Sequence, residues 1–332
     1  MISAILCHHK GTLVNKAIDS ILQSIGVDFE VIVVTSDSTF SYEHSRVKVL
    51  KMFREEGPAK KRNLSLRVAK GELIAFFDDD VEVLPDTLLQ MEVLLNSSDS
   101  IGMVFGKTLN MEFRNRLDGA GSFLTWTGFL YAREESGIED TRQFDQVEPI
   151  LAGKSASCMI RRKIFASCGL FDDSYGILGE ETDLAWRVWL YGWKVLWCPQ
   201  SVAYHAFNTR FKPLDFYSPT RIYCNGARNY LAMLFTNLEA TNLARAFPIQ
   251  FIVWLSSVVG MLVTGKIEAG QQILKGIASF LSRLPQLLKK RSLVQSRRVI
   301  SDRELFKSIM RNPPMGYFTK RLFHYVKTGR HG

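Results

Sequence analysis

Three consecutive aspartates in the first third of the chain have the chemistry to bind a cation. Asp78, Asp79 and Asp80 follow the apolar segment 72–77, whose β-branched and aromatic residues predict a strand. Adjacent carboxylates repel one another, so keeping them together near a buried strand end requires a neutralising cation. Oxygen ligands suit Mg²⁺ or Mn²⁺, which commonly hold a diphosphate at the same time. A solvated acidic turn before Pro85 is the structural alternative.

A second acidic group opens a helix predicted over residues 180–191. Glu180, Glu181 and Asp183 occupy its first turn, where the helix dipole stabilises negative charge. Asp183 can also pair with Arg187 one turn later, which explains the acidic turn in purely structural terms. In a partly desolvated cleft, one of the two glutamates would instead be a general base.

His205 follows a strand predicted over residues 193–198 and ended by Pro199. It is either a cation ligand or a half-buried ring in an aromatic patch. The sequence contains no Gly-x-Gly-x-x-Gly after the first strand and no Walker-type Gly-Lys-Ser/Thr, so phosphate would be held through a metal. This excludes the common dinucleotide-binding and P-loop classes, and the absence of Gly-x-Ser-x-Gly leaves a hydrolase triad without an anchor.

The elements that must position these residues alternate between strands and helices. Strands are predicted over residues 2–6, 30–34, 47–50 and 72–77, separated by stretches in which apolar residues recur at helical spacing. This alternation predicts an α/β sandwich with a mostly parallel sheet, whose carboxyl edge is where such folds place ligands. Residues 111–160 are expected to form a loop-rich region that leads into another strand, and the α/β body is expected to close near His205.

Charge is distributed unevenly along the 332 residues, which carry a formal net charge of +9. Residues 266–332 contain 15 Lys and Arg against 3 Asp and Glu, whereas residues 1–265 contain 27 against 30. A basic end beside an apolar stretch fits an anionic membrane surface better than a nucleic acid, so no nucleic-acid partner is predicted. Five scattered cysteines without a Cys-x-x-Cys pair favour a reducing cytosol over a disulfide framework.

The segment 246–265 is 20 residues without a charge, which is long enough to cross a bilayer. A single crossing would put the basic end on the opposite side from the body, against the positive-inside tendency. Together with an amphipathic segment at 270–288, the pattern predicts helices that lie in the membrane interface. The expected location is the cytoplasmic face of the cell membrane, peripheral or monotopic, or else the cytoplasm. A soluble helical domain is the alternative.

Taken in order, these pieces resemble the family-2 glycosyltransferases of GT-A fold. The segment KKRNLSLRVAKGELIAFFDDDVEVLPD (60–86) resembles the family's Arg-Asn helix, strand and Asp-x-Asp metal motif, which maps onto Asp78 and Asp80. GEETDLAWRVWLYGW (179–193) is similar to the segment that supplies the catalytic base. PQSVAYH, which ends at His205, matches the place where many members carry a metal-binding histidine.

The resemblance implies a GT-A catalytic domain over residues 1–210, followed by a helical, basic, membrane-interface region over residues 211–332. It implies an inverting transfer of a sugar from a nucleotide-diphospho-sugar to a hydroxyl of a glycan or lipid-linked acceptor. Mg²⁺ or Mn²⁺ would bind Asp80, Asp78 and His205. Glu181, with Glu180 as second choice, would take the proton from the acceptor hydroxyl.

Two departures from the family pattern affect the nucleoside site. The turn after the first strand reads Leu-Cys-His-His at residues 6–9, and Thr35 ends the second strand where the family usually has Asp. The donor-binding residues implied are Thr35, Asp37, Arg62, Asp78 and Asp79. Arg62 would lie near the phosphates or, in the Lys60 to Arg62 run, form a surface salt bridge. A non-catalytic GT-A module that binds glycolipid or nucleotide is the alternative function, and a nucleotidyltransferase is a third.

Overall fold

The computed structural model describes residues 1–9, 11, 13–133, 137–206, 220–314 and 316–319. The chain divides into two compact units. The first comprises residues 1–122 and 132–176 together with the chain from Glu180 to the end of the last strand. The second comprises residues 123–131, residues 177–179 and the described helical region from residue 220 onward.

In the part of the chain that the structure describes, the strands lie between residues 2 and 205. In chain order they are β1 (Ile2–His8), β2 (Phe29–Thr35), β3 (Val47–Lys51), β4 (Leu73–Asp78), β5 (Val81–Val83), β6 (Ile101–Asn110), β7 (Leu117–Gly119), β8 (Ser122–Leu124), β9 (Leu130–Ala132), β10 (Glu148–Pro149), β11 (Ser157–Arg161) and β12 (Lys194–His205). The helices are α1 (Leu13–Leu22), α2 (Pro58–Leu66), α3 (Thr87–Asn96), α4 (Ile164–Cys168), α5 (Glu180–Leu190), α6 (Asn225–Asn237), α7 (Ala240–Val263), α8 (Ile267–Ser282), α9 (Leu284–Ser296) and α10 (Asp302–Ile309).

A single large sheet organises the first unit, with strand order β10-β12-β6-β11-β4-β1-β2-β3. The half formed by β4, β1, β2 and β3 is parallel, and β12 also runs parallel to β6. β11 is antiparallel to both β4 and β6. The β1 and β4 sequences are nearly continuous apolar runs because helices cover both faces of a sheet of this kind.

β12 continues past Pro199, so the predicted end of this strand was wrong. Cys198 and Val202 pair with consecutive residues of β6, which leaves residues 199–201 outside the ladder. The chain bulges there, and the missing N–H of Pro199 removes no ladder hydrogen bond.

The continuation of β12 decides the geometry of the sheet edge. β5, which follows the three aspartates directly, pairs antiparallel with the end of β12 and places His205 opposite Val81. The backbone N–H of Ala206 also donates to the carbonyl of Asp80 at 3.0 Å. Residues 125 positions apart in the chain therefore meet at one edge.

The second unit is mainly helical, although it also contains most of the two-stranded sheet of β8 and β9. Its helices α6, α7, α8 and α9 pack around their own apolar core. Its buried residues include Leu231, Trp254, Met261, Ile273 and Phe280. The predicted amphipathic segment 270–288 is divided between two helices, because α9 starts anew at Leu284 and Pro285 lacks the N–H that would continue α8.

α7 contains most of the uncharged segment 246–265. Among the described residues it is the one helix long and apolar enough to cross a membrane, with a mean hydropathy of 1.9 over its most apolar window. One third of that window is buried within the protein. Length and composition of this kind are shared by core helices of soluble proteins.

The predicted fold is confirmed, because an α/β unit with a mostly parallel sheet precedes a helical region. The predicted domain boundary between residues 210 and 211 lies outside the described residues. The structure also assigns residues 123–131 and 177–179 to the second unit, although they lie within the predicted catalytic domain.

Candidate functional site

The aspartates after β4 meet the end of β12 at the carboxyl edge of the sheet. Asp78 is the last residue of β4, and Asp80 immediately precedes β5. The imidazole Nε2 of His205 lies 3.2 Å from Asp80 Oδ1 and 3.6 Å from Asp78 Oδ2. One ligand atom from each of the three residues lies within 4.8 Å of the other two. The structure thus brings together the three residues that the sequence predicts as metal ligands.

Burial and charge act in opposite directions on His205. Its side chain is 3% exposed, and this desolvation lowers the pKa of the imidazole. The carboxylates of Asp80 and Asp118 outweigh desolvation and raise the pKa of His205 to about 9. Asp80 is also buried, whereas Asp78 is partly open to solvent. The site therefore concentrates negative charge where a bound cation would neutralise it.

Arg62 lies in the interior, so the surface salt bridge considered for it does not describe this residue. Its side chain is 1% exposed, and the guanidinium lies 5.3 and 5.7 Å from the centroids of two phenylalanine rings. Nη1 donates to Glu180 Oε1 at 2.9 Å, and Nη2 lies 3.5 Å from Asp78 Oδ1. Arg62 therefore joins the carboxylate at the end of β4 to the one that opens α5.

The two glutamates that open α5 have different environments. Glu180 is buried, and its carboxylate is paired with Arg62. Glu181 is partly exposed. Desolvation, followed by repulsion from Glu180, raises the pKa of Glu181 to about 8. Desolvation also raises the pKa of Glu180, which neutralises Arg62, whereas Glu181 combines its raised pKa with access to solvent.

Thr35 and Asp37 form a separate group at the end of β2. Thr35 is buried, and its Oγ1 lies 2.8 Å from His8 Nδ1 and accepts the backbone N–H of Asp37 at 3.0 Å. The His8 ring packs on Phe40, with ring centroids 4.7 Å apart. The Asp37 carboxylate accepts the backbone N–H of Thr39 at 2.9 Å. These residues do not belong to the Asp78, Asp80 and His205 cluster.

Asp79 connects the aspartates to the turn after β1. Its Oδ2 accepts the backbone N–H of His9 at 2.8 Å. His9 Nδ1 lies 2.9 Å from Glu55 Oε1, which also accepts a hydrogen bond from Lys61 Nζ at 2.6 Å. Desolvation would raise the pKa of Glu55, but His9 and Lys61 outweigh it and lower the pKa to about 2. The turn that departs from the family pattern is therefore held by buried or half-buried charges.

Sequence reasoning missed two residues behind His205. Asp118 Oδ2 lies 2.8 Å from His205 Nδ1, and Asp118 Oδ1 accepts a hydrogen bond from Lys154 Nζ at 2.7 Å. Burial would raise the pKa of the Asp118 carboxyl, yet Lys154 and His205 hold it well below its usual value. Asp118 is 87 residues from His205 and lies in the segment expected to be loop-rich, so no local spacing pointed to it.

A sequence profile decides the family. The profile described as Glycosyl transferase family 2 matches residues 4–169, which is half of the chain. This chain belongs to glycosyl transferase family 2. The matched residues include the aspartates after β4 but end before Glu180 and His205. The family match therefore does not cover those two residues, and their place beside the aspartates is given by the structure.

A curated relative shares part of the family-2 sequence. The chain is 27% identical over 118 residues to the Escherichia coli UDP-Glc:alpha-D-GlcNAc-diphosphoundecaprenol beta-1,3-glucosyltransferase WfgD, covering 33% of this chain and 45% of that protein. The other curated relatives are covered over 23% and 12% of their lengths. The chain therefore spans less than half the length of each curated relative it matches.

Solved structures share the fold of this family-2 chain. Staphylococcus aureus TarS 1–349 in complex with UDP-GlcNAc aligns with a TM-score of 0.56 and 15% identity, covering 89% of this chain and 88% of that chain. The mannosyltransferase PcManGT from Pyrobaculum calidifontis, in complex with GDP-Man and Mn²⁺, aligns with a TM-score of 0.51 and 14% identity, covering 84% and 86%. At these identities the likeness establishes the fold.

Proposed function

We propose that this family-2 chain transfers a sugar from a nucleotide-diphospho-sugar to a hydroxyl of a glycan or lipid-linked acceptor, with inversion. The observation that carries the proposal is the convergence of Asp78, Asp80 and His205 within 4.8 Å at the carboxyl edge of the sheet. Family membership supports a nucleotide-sugar donor, and the name of WfgD describes transfer to a lipid-linked sugar.

The donor atoms in this cluster fit a divalent cation. Two carboxylates and one imidazole suit Mn²⁺ or Mg²⁺, and the nitrogen ligand favours Mn²⁺, because Mg²⁺ prefers oxygen ligands in octahedral geometry. Asp80, Asp78 and His205 would hold the ion. When bound, it would offset the negative charge that develops on the departing diphosphate.

Glu181 is the proposed general base. An inverting displacement needs a carboxylate to take the proton from the acceptor hydroxyl as that oxygen attacks the anomeric carbon. The raised pKa of about 8 makes the Glu181 carboxylate a stronger base than an ordinary glutamate. Glu180, the second choice from the sequence, holds Arg62 through a buried ion pair at 2.9 Å. This pairing supports Glu181 over its neighbour.

The remaining donor contacts would come from the ends of β1, β2 and β4. Asp37 and Asp79 are partly exposed there, and we expect their carboxylates to contact the nucleoside or its ribose. Thr35 would act through His8, because its hydroxyl is already bonded to that ring. Arg62 would act on the phosphates through the charge of Asp78 rather than by direct contact, since it is 1% exposed.

We further place the protein at the cytoplasmic face of a membrane, attached by its second unit. Eleven of the 20 exposed large hydrophobic residues among the described part of the chain lie between Ile252 and Val299. The chain from residue 266 onward carries 15 Lys and Arg against 3 Asp and Glu. Apolar side chains that reach solvent beside excess positive charge are typical of segments that bind anionic lipid surfaces.

Nucleotide release tests the catalytic proposal. Purified protein is incubated with Mn²⁺ and a panel of uridine, guanosine and thymidine diphosphate sugars, and free nucleoside diphosphate is measured with and without glycan acceptors. We expect release with one donor class and its loss in Asp80→Asn. A non-catalytic module would bind a nucleotide sugar without releasing nucleoside diphosphate, and that result would contradict the proposal.

A further inference from the structure

Two charged residues, Asp118 and Lys154, form a chain of hydrogen bonds with the imidazole nitrogen of His205 that does not face Asp78 and Asp80. The carboxylate of Asp118, in β7, lies 2.8 Å from His205 Nδ1, and its other oxygen accepts a hydrogen bond from Lys154 Nζ at 2.7 Å. The Asp118 side chain is 4% exposed. Each oxygen of this buried carboxylate therefore has its own cationic or N–H partner.

The contact fixes which imidazole nitrogen is available to a cation. An ionised carboxylate only accepts hydrogen bonds, so Nδ1 of His205 carries the hydrogen that faces Asp118. The lone pair of a metal-binding imidazole is then on Nε2, the atom that lies 3.2 Å from Asp80 Oδ1 and 3.6 Å from Asp78 Oδ2. Histidine ligands are commonly oriented in this way by a carboxylate bonded to the other nitrogen.

Lys154 keeps the carboxylate in place. Gly119 leaves room for the lysine stem, because a Cβ added there would lie 3.1 Å from Lys154 Cδ. The ammonium group then reaches Asp118 from the segment before β11, and its side chain stays 33% exposed. Lys154 at one oxygen and His205 at the other hold both ends of the Asp118 carboxylate in place.

We propose that Asp118, held by Lys154, is a positioning residue that orients His205 and thereby sets the affinity of the site for Mn²⁺. This inference rests on the proposed metal-assisted transfer. A purely structural role, in which the Asp118 and Lys154 pair only ties β7 to the segment before β11, predicts lower stability with unchanged metal affinity. The two roles are therefore separable by a measurement of metal binding.

The test is a titration of the purified full chain with Mn²⁺, without nucleotide, in which free Mn²⁺ is read from its electron paramagnetic resonance signal. We expect Asp118→Asn to weaken Mn²⁺ binding by about 10- to 100-fold. The asparagine side chain has one acceptor oxygen, whereas Lys154 and His205 each use a separate oxygen of Asp118. Lys154→Met should also weaken Mn²⁺ binding, but by a smaller factor. Because Lys154 is partly exposed, this substitution should disturb folding less than Asp118→Asn does.

A control variant changes another aspartate that pairs with a buried lysine, the half-buried Asp140. Asp140 Oδ2 accepts a hydrogen bond from Lys107 Nζ at 2.9 Å, and neither residue belongs to the Asp78, Asp80 and His205 cluster. Asp140→Asn should leave the Mn²⁺ affinity unchanged, whatever its effect on the melting temperature. Pulsed spectra of bound Mn²⁺ should show coupling to an imidazole nitrogen in the wild type, weakened in Asp118→Asn and lost in His205→Gln.

The two possible failures are distinguishable. If the wild type binds Mn²⁺ and Asp118→Asn binds it equally well with the same nitrogen coupling, the positioning role is wrong while the proposed metal site stands. If the wild type binds no Mn²⁺, the metal site of the proposed function is wrong and the role of Asp118 is wrong with it.

Discussion

Neighbouring glutamates at the start of α5 give the sharpest contrast at the scale of single residues. Glu180 forms a buried ion pair with Arg62, whereas Glu181 is partly exposed, and desolvation raises the pKa of both carboxyls. The two carboxyl groups are chemically identical, so their roles are set by what surrounds them. Conversion of each to glutamine removes one charge with little change of shape and should affect different properties of the protein.

We expect Glu181→Gln to lower kcat by about 10²- to 10⁴-fold, because the amide cannot accept the acceptor proton. Its Mn²⁺ affinity should stay near that of the wild type. Its melting temperature at neutral pH should equal or exceed that of the wild type, because glutamine removes a carboxyl whose ionisation the fold disfavours. Glu180→Gln should instead destabilise the fold by about 3 kcal/mol, since among the described residues the remaining carboxylate paired with Arg62 is the more distant Asp78. Steady-state kinetics and urea unfolding of both variants check this, and the reverse pattern would make Glu180 the base.

The raised pKa of Glu181 also predicts a pH dependence. Its carboxyl must be ionised to act as a base, so log kcat/KM should rise with unit slope up to about pH 8 and then level off. The folded state binds this proton more tightly than the unfolded state does. The contribution of Glu181 to the free energy of unfolding therefore falls as pH rises from its ordinary value of 4.5 through about 8.

Two profiles measure this effect. Rates across pH 5–9 should show the break near 8, and Glu181→Gln should remove both the break and the associated loss of stability between pH 6 and pH 8.5 in urea unfolding. A rate profile already flat above pH 5 would show that the Glu181 carboxyl titrates at its ordinary pKa.

The sequence predicted the residues whose signal is local. Three adjacent aspartates after an apolar run, and an acidic turn before a helix, are recognisable from spacing alone. Asp118 has no such signal, because its partner His205 is 87 residues away. The burial of Arg62 was also not predictable, since its basic neighbours suggest a surface run and only the arrangement of β4 and α5 surrounds it with carboxylates.

At the scale of elements, the position of α2 depends on a glycine that allows its first turn to pack closely against another backbone segment. Gly57 precedes the helix, Pro58 begins it, and a Cβ added to Gly57 would lie 2.1 Å from the carbonyl oxygen of Gly176. The helix start and the turn that ends at Gly176 therefore pack backbone against backbone. Because α2 carries Arg62, the position of this contact sets how the guanidinium reaches Glu180.

Gly57→Ala should consequently destabilise the fold by about 1–3 kcal/mol and lower kcat, because either the helix or the turn must shift. The control is Gly226→Ala in α6, where the one described side chain within 4 Å of an added Cβ is Trp254, at 3.7 Å. Alanine is the better helix former, so this control should be neutral or slightly stabilising. Thermal melting of both variants and of the wild type measures this effect. A melting temperature of Gly57→Ala equal to that of Gly226→Ala would contradict the close approach of Gly57 to the Gly176 carbonyl.

Element prediction from the sequence succeeded where periodicity was undisturbed. The first four strands were located within one or two residues at each end, because each is a short apolar run between turn residues. The sequence predicts that β12 ends before Pro199, whereas the strand continues to His205. The bulge that tolerates the proline arises from the pairing of β12 with β6 and leaves no signal in the sequence of β12 itself. The amphipathic pattern predicted over residues 270–288 continues across Pro285, so the pattern by itself does not show that the chain forms two helices there.

At the scale of the whole molecule, charge and exposed apolar surface coincide in the same part of the sequence. Ile252, Leu255, Val259 and Leu262 repeat every three or four residues along α7, and each is at least 40% exposed. Trp254 and Met261 on another side of the helix are buried in the core of the second unit. A helix with one face packed and another face apolar and exposed suits the plane of a membrane interface.

The purified protein should therefore sediment with vesicles that contain phosphatidylglycerol, and much less with neutral phosphatidylcholine vesicles. Binding should weaken as salt rises from about 0.05 to about 0.5 M, because screening reduces the attraction of the basic residues to anionic lipid. A double change of Ile252→Asn and Val259→Asn should reduce vesicle binding by at least about tenfold, since both apolar side chains would lose their burial in lipid.

The control for that variant is Val93→Asn, an equally exposed valine in α3 of the first unit, at 59% against 60% for Val259. It should leave vesicle binding unchanged, and helical circular dichroism should confirm that both variants fold. A soluble helical unit predicts that the wild type stays in the supernatant with either lipid. Equal binding by the wild type and the α7 variant would instead show that the exposed face of α7 does not contact lipid, and that attachment depends on charge alone.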